Sequence, residues 1–549
     1  MKIKSIIFAI LLVVSAGFYT SCKMDTIGIR NNGSFTDTTA VLKTSTTIPV
    51  GFAVDNNFNT NATYKTVVTT QGSSAVIAAA LNHGSIVQSN GTFDFTNADA
   101  LYTPVSAAGL DVYGYNLLWY QKQNASYLKS YAGIVLPPNP ELLANPGFEA
   151  STSALTNWST YNAANGATVA ADNVAADVHP GGSTVCMKVV NPVANPGSQY
   201  KVQVASDLIN TTIGANYTVS YWVKAASAGG SIRLSTQPTA QYQGDQTIGT
   251  SWAQITWTIN AKDAQTRILF DMGQAANTYY IDDASVKIVQ AAPPVSAIKA
   301  KLDTAMSTYI AATVGHYAGK VKSWAVINEP LANDGSIRTN GNTTVPIGAT
   351  DYLVWSNYFG KQYGINAFNY AKAADPNALL FIDESGLDVY KSKVDSLISY
   401  ANFLVAQGCK VDGIGVQMKV NFDYSSSSSS YAVIDRAFQL LGQTNFKIRI
   451  SSLSVNENPF KKPDLSATDP IAMDGQAQVF KYVLDSYIKN VPAAQRAGVI
   501  FGGVDDNTSN VVLDPTTSPV TKSIAPLLFN ANFAKKPAFS AVSQSLKGK

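Results

Sequence analysis

The sequence predicts an α/β barrel that is interrupted by an all-β sandwich. Helix-like and strand-like stretches alternate from residue 298 onward, whereas residues 141–289 contain short stretches of alternating apolar and polar residues separated by Gly, Asn and Asp. Further strand-like runs precede this all-β region. Because strand-like and βα stretches flank the region on both sides, we expect one barrel whose chain is split by a second domain.

Apolar runs mark the predicted barrel strands, and longer periodic stretches mark the helices between them. Strands are predicted at 48–54, 110–119, 324–327, 379–382, 413–416, 447–450 and 498–501. Helices are predicted at 298–314, 358–374 and 394–407, of which the last two end at Asp375-Pro376 and at Gly408. The run of serines at 425–430 is predicted to be a flexible loop.

Proline pairs mark both ends of the all-β region. Leu136 precedes Pro137 and Pro138, and the second pair is Pro293 and Pro294. Between them, alternation is clearest at 218–223, 253–259 and 279–288. We therefore predict a first barrel part at 47–137, a sandwich at 138–292 and a second barrel part at 293–549.

The first 22 residues resemble a lipoprotein signal peptide of the Bacteroidota type. Lys2 and Lys4 precede an apolar stretch at 6–14, which is too short to span a bilayer. Ser21 before Cys22 resembles a lipobox, which implies that Cys22 is acylated and holds the protein on a membrane. Residues 23–46 are polar and rich in Thr and Asn, as expected of a tether. The resemblance implies an outer-membrane lipoprotein at the cell surface.

Composition argues against several other classes of protein. The 39 Lys and Arg nearly balance the 36 Asp and Glu, for a net charge of +3 without a basic block, so nucleic acid is not an expected partner. The 3 His and 3 Cys lack the spacing of metal ligands or of a His-based catalytic triad. Cys186 and Cys409 fall in different predicted domains and are expected to be small buried residues without a disulfide.

Several motifs in the two barrel parts resemble family 10 glycoside hydrolases, the xylanase family. V-G-H-Y at 314–317 precedes W-A-V-I-N-E-P at 324–330, which is similar to the W-D-V-V-N-E pattern of that family. Further similar motifs lie at 91–95, 113–120, 412–417, 526–529 and 536–539. The resemblance implies a (β/α)8 TIM barrel that hydrolyses β-linked xylan with retention, with Glu329 as general acid/base and no cofactor for the chemistry.

The all-β region resembles carbohydrate-binding modules of families 4 and 22. N-P-G-F-E at 145–149 and Y-I-D-D at 280–283 carry this resemblance. It implies a jelly-roll sandwich that is inserted after the third barrel strand, on the face where barrel active sites lie. Tyr200 and Gln203 are the candidate sugar contacts on its concave face.

The same resemblance implies a structural Ca²⁺ held by Glu149 and Asp283, because carboxylate oxygens suit this ion. The alternative is that both are carboxylates of surface turns. Two interpretations also remain for the tryptophans of this region, which are either core residues or sugar contacts: Trp158, Trp222, Trp252 and Trp257.

One of the two catalytic carboxylates that the family needs is missing. A retaining glycosidase uses two carboxyl groups about 5 Å apart, one as acid/base and one as nucleophile. The nucleophile of the family lies in the pattern I-T-E-L-D, to which residues 450–454 correspond as I-S-S-L-S. Ser452 therefore replaces the nucleophile, and a serine hydroxyl is a weak nucleophile without an activating base.

Other sugar-binding positions of the family also differ. Residues 78–82 (A-A-A-L-N) replace the family's E-N-x-M-K, Tyr115 and Tyr120 replace two His, Lys419 replaces another His, and Gly502 replaces a Trp. The resemblance implies that Lys419 lies near Glu329, where an ammonium group would keep the carboxylate ionised and unable to act as an acid.

The remaining cleft positions are candidates for binding sugar rather than for cleaving it. Tyr115, Trp119 and Tyr120 either form a stacking floor for pyranose rings or are core aromatics. Asn328 and Gln417 are expected to hydrogen-bond to sugar hydroxyls, as the resemblance implies.

Three functions therefore compete. The first is a lipoprotein that binds xylan or a related β-linked plant polysaccharide, beside an outer-membrane glycan importer. The second is an active endo-1,4-β-xylanase in which another carboxylate replaces the nucleophile; the candidates are Asp383, Glu384, Glu457, Asp505 and Asp506. The third is a structural subunit of an outer-membrane complex with a vestigial cleft.

Overall fold

A computed structural model describes residues 35–181, 183–345, 349–421, 428–456, 470–507 and 525–548. The predicted signal peptide, the lipidation site Cys22 and the first part of the tether lie outside the described residues. None of the helices in the described ranges is long and apolar enough to cross a membrane.

The strands fall into three groups along the chain. The order is β1 (Val50–Ala53), β2 (Ser74–Val76), β3 (Asp111–Gly114), β4 (Trp158–Ala163), β5 (Thr168–Asp172), β6 (Cys186–Asn191), β7 (Val202–Ser206), β8 (Ile209–Asn210), β9 (Asn216–Ala225), β10 (Gly230–Gln237), β11 (Gln246–Ile248), β12 (Ala253–Asn260), β13 (Gln265–Asp271), β14 (Asn277–Ile288), β15 (Ser323–Asn328), β16 (Leu379–Ser385), β17 (Gly413–Asn421), β18 (Lys447–Asn456) and β19 (Arg496–Phe501).

The helices lie before and after the long all-β stretch. They are α1 (Asn57–Thr60), α2 (Ala62–Gln71), α3 (Ala78–Leu81), α4 (His83–Ile86), α5 (Thr96–Ala107), α6 (Ala125–Ala132), α7 (Val295–His316), α8 (Ser356–Phe359), α9 (Tyr363–Ala374), α10 (Lys393–Ala406), α11 (Ser428–Gly442), α12 (Pro470–Asn490) and α13 (Pro537–Leu546).

Eight parallel strands form a closed barrel in the order β1, β2, β3, β15, β16, β17, β18 and β19. The barrel closes where Val50 of β1 pairs with Val499 of β19. The interruption falls between β3 and β15, which pair through Tyr113 and Ser323 and through Gly114 and Trp324. This is the predicted (β/α)8 barrel, interrupted after its third strand.

A glycine permits the close approach of β3 and β15. A Cβ atom on Gly114 would lie 2.2 Å from Cε3 of Trp324, a side chain that is fully buried. Apolar residues fill the centre of the barrel, and a larger core lies between the barrel and its surrounding helices. The central group comprises Val76, Tyr113, Ala325, Phe381 and Ile500.

The residues between β3 and β15 form two antiparallel sheets that enclose their own core. One sheet has the order β11, β10, β13, β7 and β4, with β8 beside β13, and the other has the order β12, β9, β14, β6 and β5. Apolar side chains of both sheets form one cluster, which includes Val204, Val219, Tyr221 and Phe270. The predicted all-β sandwich is therefore present.

Contacts divide the chain into two compact units, residues 1–134 with 294–549 and residues 135–293. Two local predictions differ from the structure. The strand predicted at 110–119 ends at Gly114, although Leu117 and Leu118 still donate backbone hydrogen bonds to β15. The predicted serine loop is wrong in part, because α11 begins at Ser428.

Candidate functional site

A cleft of about 200 Å³ lies at the carboxyl ends of the barrel strands. Strand ends and the segments that directly follow them supply its walls, as expected for the functional face of this fold. The described residues that line it are Ala53, Val76, Ala79, Asn82, Tyr115, Trp119, Lys122, Gln417, Lys419, Ser451, Ser452, Ser454 and Gly502.

Asn328 at the end of β15 is held by two residues that line this cleft. Its Oδ1 accepts hydrogen bonds from Nε2 of Gln417 at 2.7 Å and from the hydroxyl of Tyr115 at 3.2 Å. Its Nδ2 is buried and has no hydrogen-bond partner in the described residues. Asn328 does not line the cleft but a separate cavity of about 10 Å³, which holds about one water molecule, so this donor does not face the space for a sugar. The structure thus brings together Asn328, Tyr115 and Gln417, three of the predicted sugar-binding residues.

Glu329, the residue after Asn328, has a left-handed backbone conformation, with φ of 52°. Its N–H donates to the carbonyl of Asp383 at 2.8 Å, and its own carbonyl accepts from Nε of Arg338 at 2.9 Å. A non-glycine residue with positive φ carries backbone strain, which surrounding contacts must stabilise. These two hydrogen bonds fix the backbone and therefore the direction of the side chain.

The Glu329 carboxylate does not line the larger cleft. Its Oε2 accepts a hydrogen bond from the indole of Trp119 at 3.0 Å. The carboxylate lines a separate cavity of about 10 Å³, together with Tyr120 and Arg338. That volume holds about one water molecule and no sugar ring. Trp119 lines both cavities, and Glu329 is 8% exposed.

Ser452 lies in the wall of the larger cleft, on the strand that the sequence predicted. It pairs in register with Gln417 on the neighbouring strand. A Cβ atom on Gly502 would lie 3.1 Å from its hydroxyl oxygen, so Ser452 and Gly502 are neighbours. Two positions at which the motif resemblance implies large side chains therefore lie side by side, and both carry small residues.

No carboxylate lines the cleft in the part of the chain that the structure describes. Asp383 is fully buried and accepts a hydrogen bond from Tyr113 at 2.6 Å. Glu384 forms a buried ion pair with Lys393 at 2.9 Å, and Asp506 pairs with Lys536. Asp505 is buried, and Glu457 lies outside the described residues.

Burial determines the protonation of Asp383. Loss of hydration raises the pKa of this carboxyl from 3.8 to about 6, despite the opposing effects of Tyr113, Ser451 and Arg449. A raised pKa of this kind is typical of catalytic acids as well as of buried structural groups. Since the cleft is not lined by Asp383, we interpret this carboxyl as part of the barrel interior.

Lys419 does not form the expected contact with Glu329. Its side chain is exposed, and no ion pair joins the two residues although the structure describes both. Lys122, which the sequence did not single out, also lines the cleft and pairs with Asp351 at 3.6 Å. The charge that Lys419 introduces therefore faces the open cleft.

The three predicted stacking aromatics separate into two groups. Tyr115 and Trp119 line the cleft, whereas Tyr120 lines the small cavity beside Glu329. Arg338 stacks over the Tyr120 ring at 4.2 Å, which fixes that ring in place. The sequence analysis did not identify Arg338, and it included Asn82 and Ser454 in the motifs at 78–82 and 450–454 without naming either as a site residue. Ser454 follows Ser452 by two residues on one strand, a spacing that could have indicated it.

In the sandwich, Gln203 belongs to a row of polar side chains across one sheet. Its Nε2 donates to Oδ1 of Asp271 at 2.7 Å, and Nη2 of Arg233 donates to Oδ2 of Asp271 at 2.8 Å. Arg233 in turn lies over the exposed ring of Tyr242 at 4.5 Å. Tyr200 lies two residues before β7, the strand that contains Gln203, and is 52% exposed. Both predicted sugar contacts are therefore near one polar, aromatic-rich sheet.

The expected calcium ligands are occupied by protein donors. Glu149 accepts hydrogen bonds from the backbone N–H of Thr184 at 2.7 Å and of Val185 at 3.1 Å. Asp283 lies 2.9 Å from Nδ1 of His179. No group of three or more His, Cys, Asp or Glu that could hold a metal occurs among the described residues. The geometry therefore does not fit a calcium site, and we assign no role to the ion.

The tryptophans of the sandwich differ in their surroundings. Trp158 is buried and stacks on Phe270 at 5.6 Å. His179 stacks on Trp222 at 4.2 Å and contacts Trp252 edge-on at 5.3 Å. Trp257 is half-buried against the sandwich core. Cys186 and Cys409 are buried and free, in the two separate units.

Neither of the two described barrel histidines lines the cleft. His83 is fully buried, which lowers its pKa to about 3 and keeps it neutral. His316 stacks on Phe95 at 4.2 Å, outside the barrel. A histidine that would activate Ser452 is therefore not found in the described part of the site.

Comparison with known proteins agrees with the barrel geometry. The model of glycosyl hydrolase family 10 matches residues 38–140 and 287–545. The chain is 28% identical over 253 residues to endo-1,4-beta-xylanase A of Cellvibrio japonicus, covering 44% of this chain and 39% of that protein. It is 27% identical over 256 residues to endo-1,4-beta-xylanase A of Thermoanaerobacterium saccharolyticum, covering 46% of this chain and 19% of that protein.

Solved xylanase structures share the fold. A xylanase from Cellvibrio japonicus superposes with a TM-score of 0.52 at 18% identity, covering 92% of this chain and 100% of that one. Xylanase 10B from Thermotoga maritima gives a TM-score of 0.52 at 15% identity, covering 93% and 98%. The family model matches most of the chain on both sides of the sandwich. This chain belongs to glycosyl hydrolase family 10.

Proposed function

We propose that this protein binds xylan or a related β-linked plant polysaccharide without cleaving it. The observation that carries the proposal is the chemistry of the cleft wall. Ser452, which the motif resemblance assigns to the nucleophile position, lies in that wall, and no Asp or Glu lines the cleft in the described residues. Retaining hydrolysis needs two carboxyl groups about 5 Å apart on either side of the glycosidic bond. Such a pair is not found within the described cleft.

The retained acid position also supports binding over catalysis. Glu329 receives the Trp119 hydrogen bond and lines a cavity of about 10 Å³ instead of the cleft. A general acid must lie within hydrogen-bond reach of the leaving oxygen. We interpret Glu329 as a residue that orients Trp119, whose ring then forms part of the cleft wall.

Polar groups in the cleft suit sugar hydroxyls. Tyr115 and Gln417 line the cleft, and both donate to the oxygen of the buried Asn328. Aromatic rings with nearby amides are commonly used to recognise sugars, because the rings pack against the CH faces of the sugar and the amides hydrogen-bond to its hydroxyl groups. The sandwich offers a second such surface around Tyr200, Gln203 and Tyr242.

We further propose that acylation of Cys22 anchors the protein in the outer membrane, facing outward beside a glycan importer. The sequence pattern at 1–22 supports this location. A binding protein at that place would raise the local concentration of polysaccharide for uptake. Metabolic labelling with a palmitate analogue should mark the wild type and leave Cys22→Ala unlabelled.

Two measurements on the chain from residue 23 onward test binding and catalysis together. Reducing-sugar release from xylan should stay at the level of a no-protein control, while a xylan-containing native gel should retard the protein. Asn328→Ala should reduce the retardation, since it removes the two hydrogen bonds that hold Tyr115 and Gln417 in the cleft wall. Absence of retardation by any plant polysaccharide would refute the proposal.

An active xylanase with a displaced nucleophile is the second candidate. Retention of Glu329, together with relatives named endo-1,4-beta-xylanase, favours it. Glu457 is a candidate carboxylate that lies outside the described residues. Xylan turnover by the wild type that disappears in both Glu329→Gln and Glu457→Gln would establish this alternative. Ser452→Glu is the matched variant, because it adds the carboxyl group that the family uses.

A further inference from the structure

The described wall of the cleft contains cations but no carboxylates. Lys419 and Lys122 both line it. Lys122 is paired with Asp351 at 3.6 Å, whereas Lys419 is exposed and has no ion-pair partner in the ranges that the structure describes. One ammonium group therefore faces the cleft without a counter-charge from the described protein.

The strand pattern fixes the direction of Lys419. Met418 and Val420 pack into the core between the barrel and its helices. Because side chains alternate along a strand, Gln417 and Lys419 point to the opposite face, into the cleft. Lys419 is held on a strand, which positions its charge better than a loop would.

A buried hydroxyl lies beside this ammonium group. Ser454 pairs in register with Lys419 on the neighbouring strand and also lines the cleft. Its side chain is 1% exposed, and its Oγ has no hydrogen-bond partner in the described residues. A buried hydroxyl without a partner is costly unless a ligand accepts from it or donates to it. Ser454 is thus a second, independent indication of a ligand at this place.

Space for the ligand comes from two small residues. Ser452 and Gly502 are neighbours in the same wall, with Gly502 leaving the Ser452 hydroxyl uncovered on one side. A neutral sugar could occupy this space but would gain little from the ammonium group. A carboxylate would gain a charge-assisted hydrogen bond from Lys419 and a hydroxyl donor from Ser454.

We propose that the barrel cleft selects glycans that carry uronic acid groups, with the carboxylate bound between Lys419 and Ser454. This inference rests on the proposed function and names the class of polysaccharide that the cleft prefers. A single negative charge on the sugar matches the single unpaired ammonium group. The preference should weaken as salt screens the interaction of the two charges.

The test compares one polymer in two charge states. Binding of the full chain to glucuronoxylan, and to the same glucuronoxylan after chemical reduction of its carboxyl groups, is measured by calorimetry. We expect the wild type to bind the acidic polymer roughly tenfold more tightly, the scale of one charge-assisted hydrogen bond. Lys419→Gln should lose this preference but keep its affinity for the reduced polymer, which also reports that the variant is folded.

Two variants serve as controls. Lys447→Gln removes the same charge at the exposed start of β18, at the other end of the barrel, and should keep the preference. Lys419→Arg keeps the charge and should retain most of the preference. Equal affinity of the wild type for the two polymers, or an unchanged preference in Lys419→Gln, would overturn the inference alone. Failure of the wild type to bind either polymer would instead overturn the proposed function.

Discussion

At the scale of single residues, the side chains at the ends of the barrel strands define the cleft, and no Asp or Glu lines it in the described residues. Ser452 lies on β18 in the cleft wall, and Asn328 ends β15, the fourth strand of the barrel. A change in these side chains does not require a change of the fold, because function depends on site residues rather than on the barrel.

Sequence comparison identified many of these residues but not their contacts. Ser452, Tyr115 and Gln417, which the motifs marked as candidate site residues, all line the cleft. The expected Lys419–Glu329 pair is absent, and Glu329 instead accepts from Trp119. Motif alignment gives the strand on which a residue lies, whereas side-chain direction depends on neighbours from distant segments, which no local pattern encodes.

Asp383 should make the barrel less stable as pH rises. Burial raises its pKa from 3.8 to about 6, so the folded state holds a proton that the unfolded state releases within that window. Stability from this group is present below pH 3.8 and is lost as pH rises through about 6. Asp383→Asn keeps the acceptor for Tyr113 and removes the charge. Relative to the wild type, it should gain up to roughly 3 kcal/mol between pH 4 and pH 7.

Urea unfolding at the two pH values, followed through the barrel transition, measures this difference. Asp94→Asn is a control for which the expected pH dependence of stability has the opposite sign. Hydrogen bonds from Thr96 lower the pKa of the Asp94 carboxyl, so its contribution is present at high pH and lost at low pH. If the unfolding free energies of Asp383→Asn and the wild type differed by the same amount at both pH values, the raised pKa of Asp383 in the folded state would be contradicted.

At the scale of elements, two motifs that are far apart in the sequence contact each other in the fold. Phe95, from the motif at 91–95, stacks on His316 of the motif at 314–317 at 4.2 Å and an interplanar angle of 6°. Asp99 of α5 lies 2.8 Å from Nε2 of His316 and accepts from the Tyr317 hydroxyl at 2.9 Å. This contact joins α5 to the end of α7. The motifs were recognisable in sequence, but only the fold shows why they occur together.

Strand and helix positions were predicted well where apolar periodicity was long. The helix at 298–314 is present as Val295–His316, and the strand at 324–327 as Ser323–Asn328. Prediction failed at Ser428, where composition suggested a loop but a helix begins. Serine is unfavourable within helices yet common where they start, so a serine run does not exclude a helix N-terminus.

The junction of β3 and β15 should depend on Gly114. Gly114→Ala would place a Cβ atom 2.2 Å from the buried Trp324 ring, so the two strands would have to separate. We expect a loss of about 3 kcal/mol or more in unfolding free energy, at the upper end of overpacking costs. Gly315→Ala is the matched control, because a Cβ atom there meets nothing within 4 Å.

Chemical denaturation compares the two glycine variants. In α7, Gly315→Ala should stabilise the protein slightly, by less than about 1 kcal/mol, since alanine favours a helix over glycine. Similar midpoints for Gly114→Ala and the wild type would show that β15 can move away from β3 at little cost.

At the scale of the whole molecule, two separate cores predict two unfolding transitions. One core belongs to the barrel with its helices, and the other to the sandwich. Val416 and Val219 are fully buried in the first and second core, respectively. Calorimetry should resolve two transitions, because units with independent cores need not unfold together.

Matched valine variants assign these transitions. Val219→Ala should lower only the sandwich transition and Val416→Ala only the barrel transition, each by about 1–3 kcal/mol from lost burial and the cavity that remains. One transition that moves as a whole in both variants would show that the two cores unfold together.

The split of the barrel also sets the order in which the strand pairings can form as the chain folds. All strands of the sandwich lie within residues 158–288, so its pairings need only that stretch of the chain. Barrel closure instead joins Val50 to Val499, which requires almost the entire chain. β1 therefore keeps one unpaired edge until β19 joins it, however early the sandwich forms. A folding intermediate with a finished sandwich and an open barrel exposes this edge, which makes the first barrel strands the part of the chain most prone to aggregate.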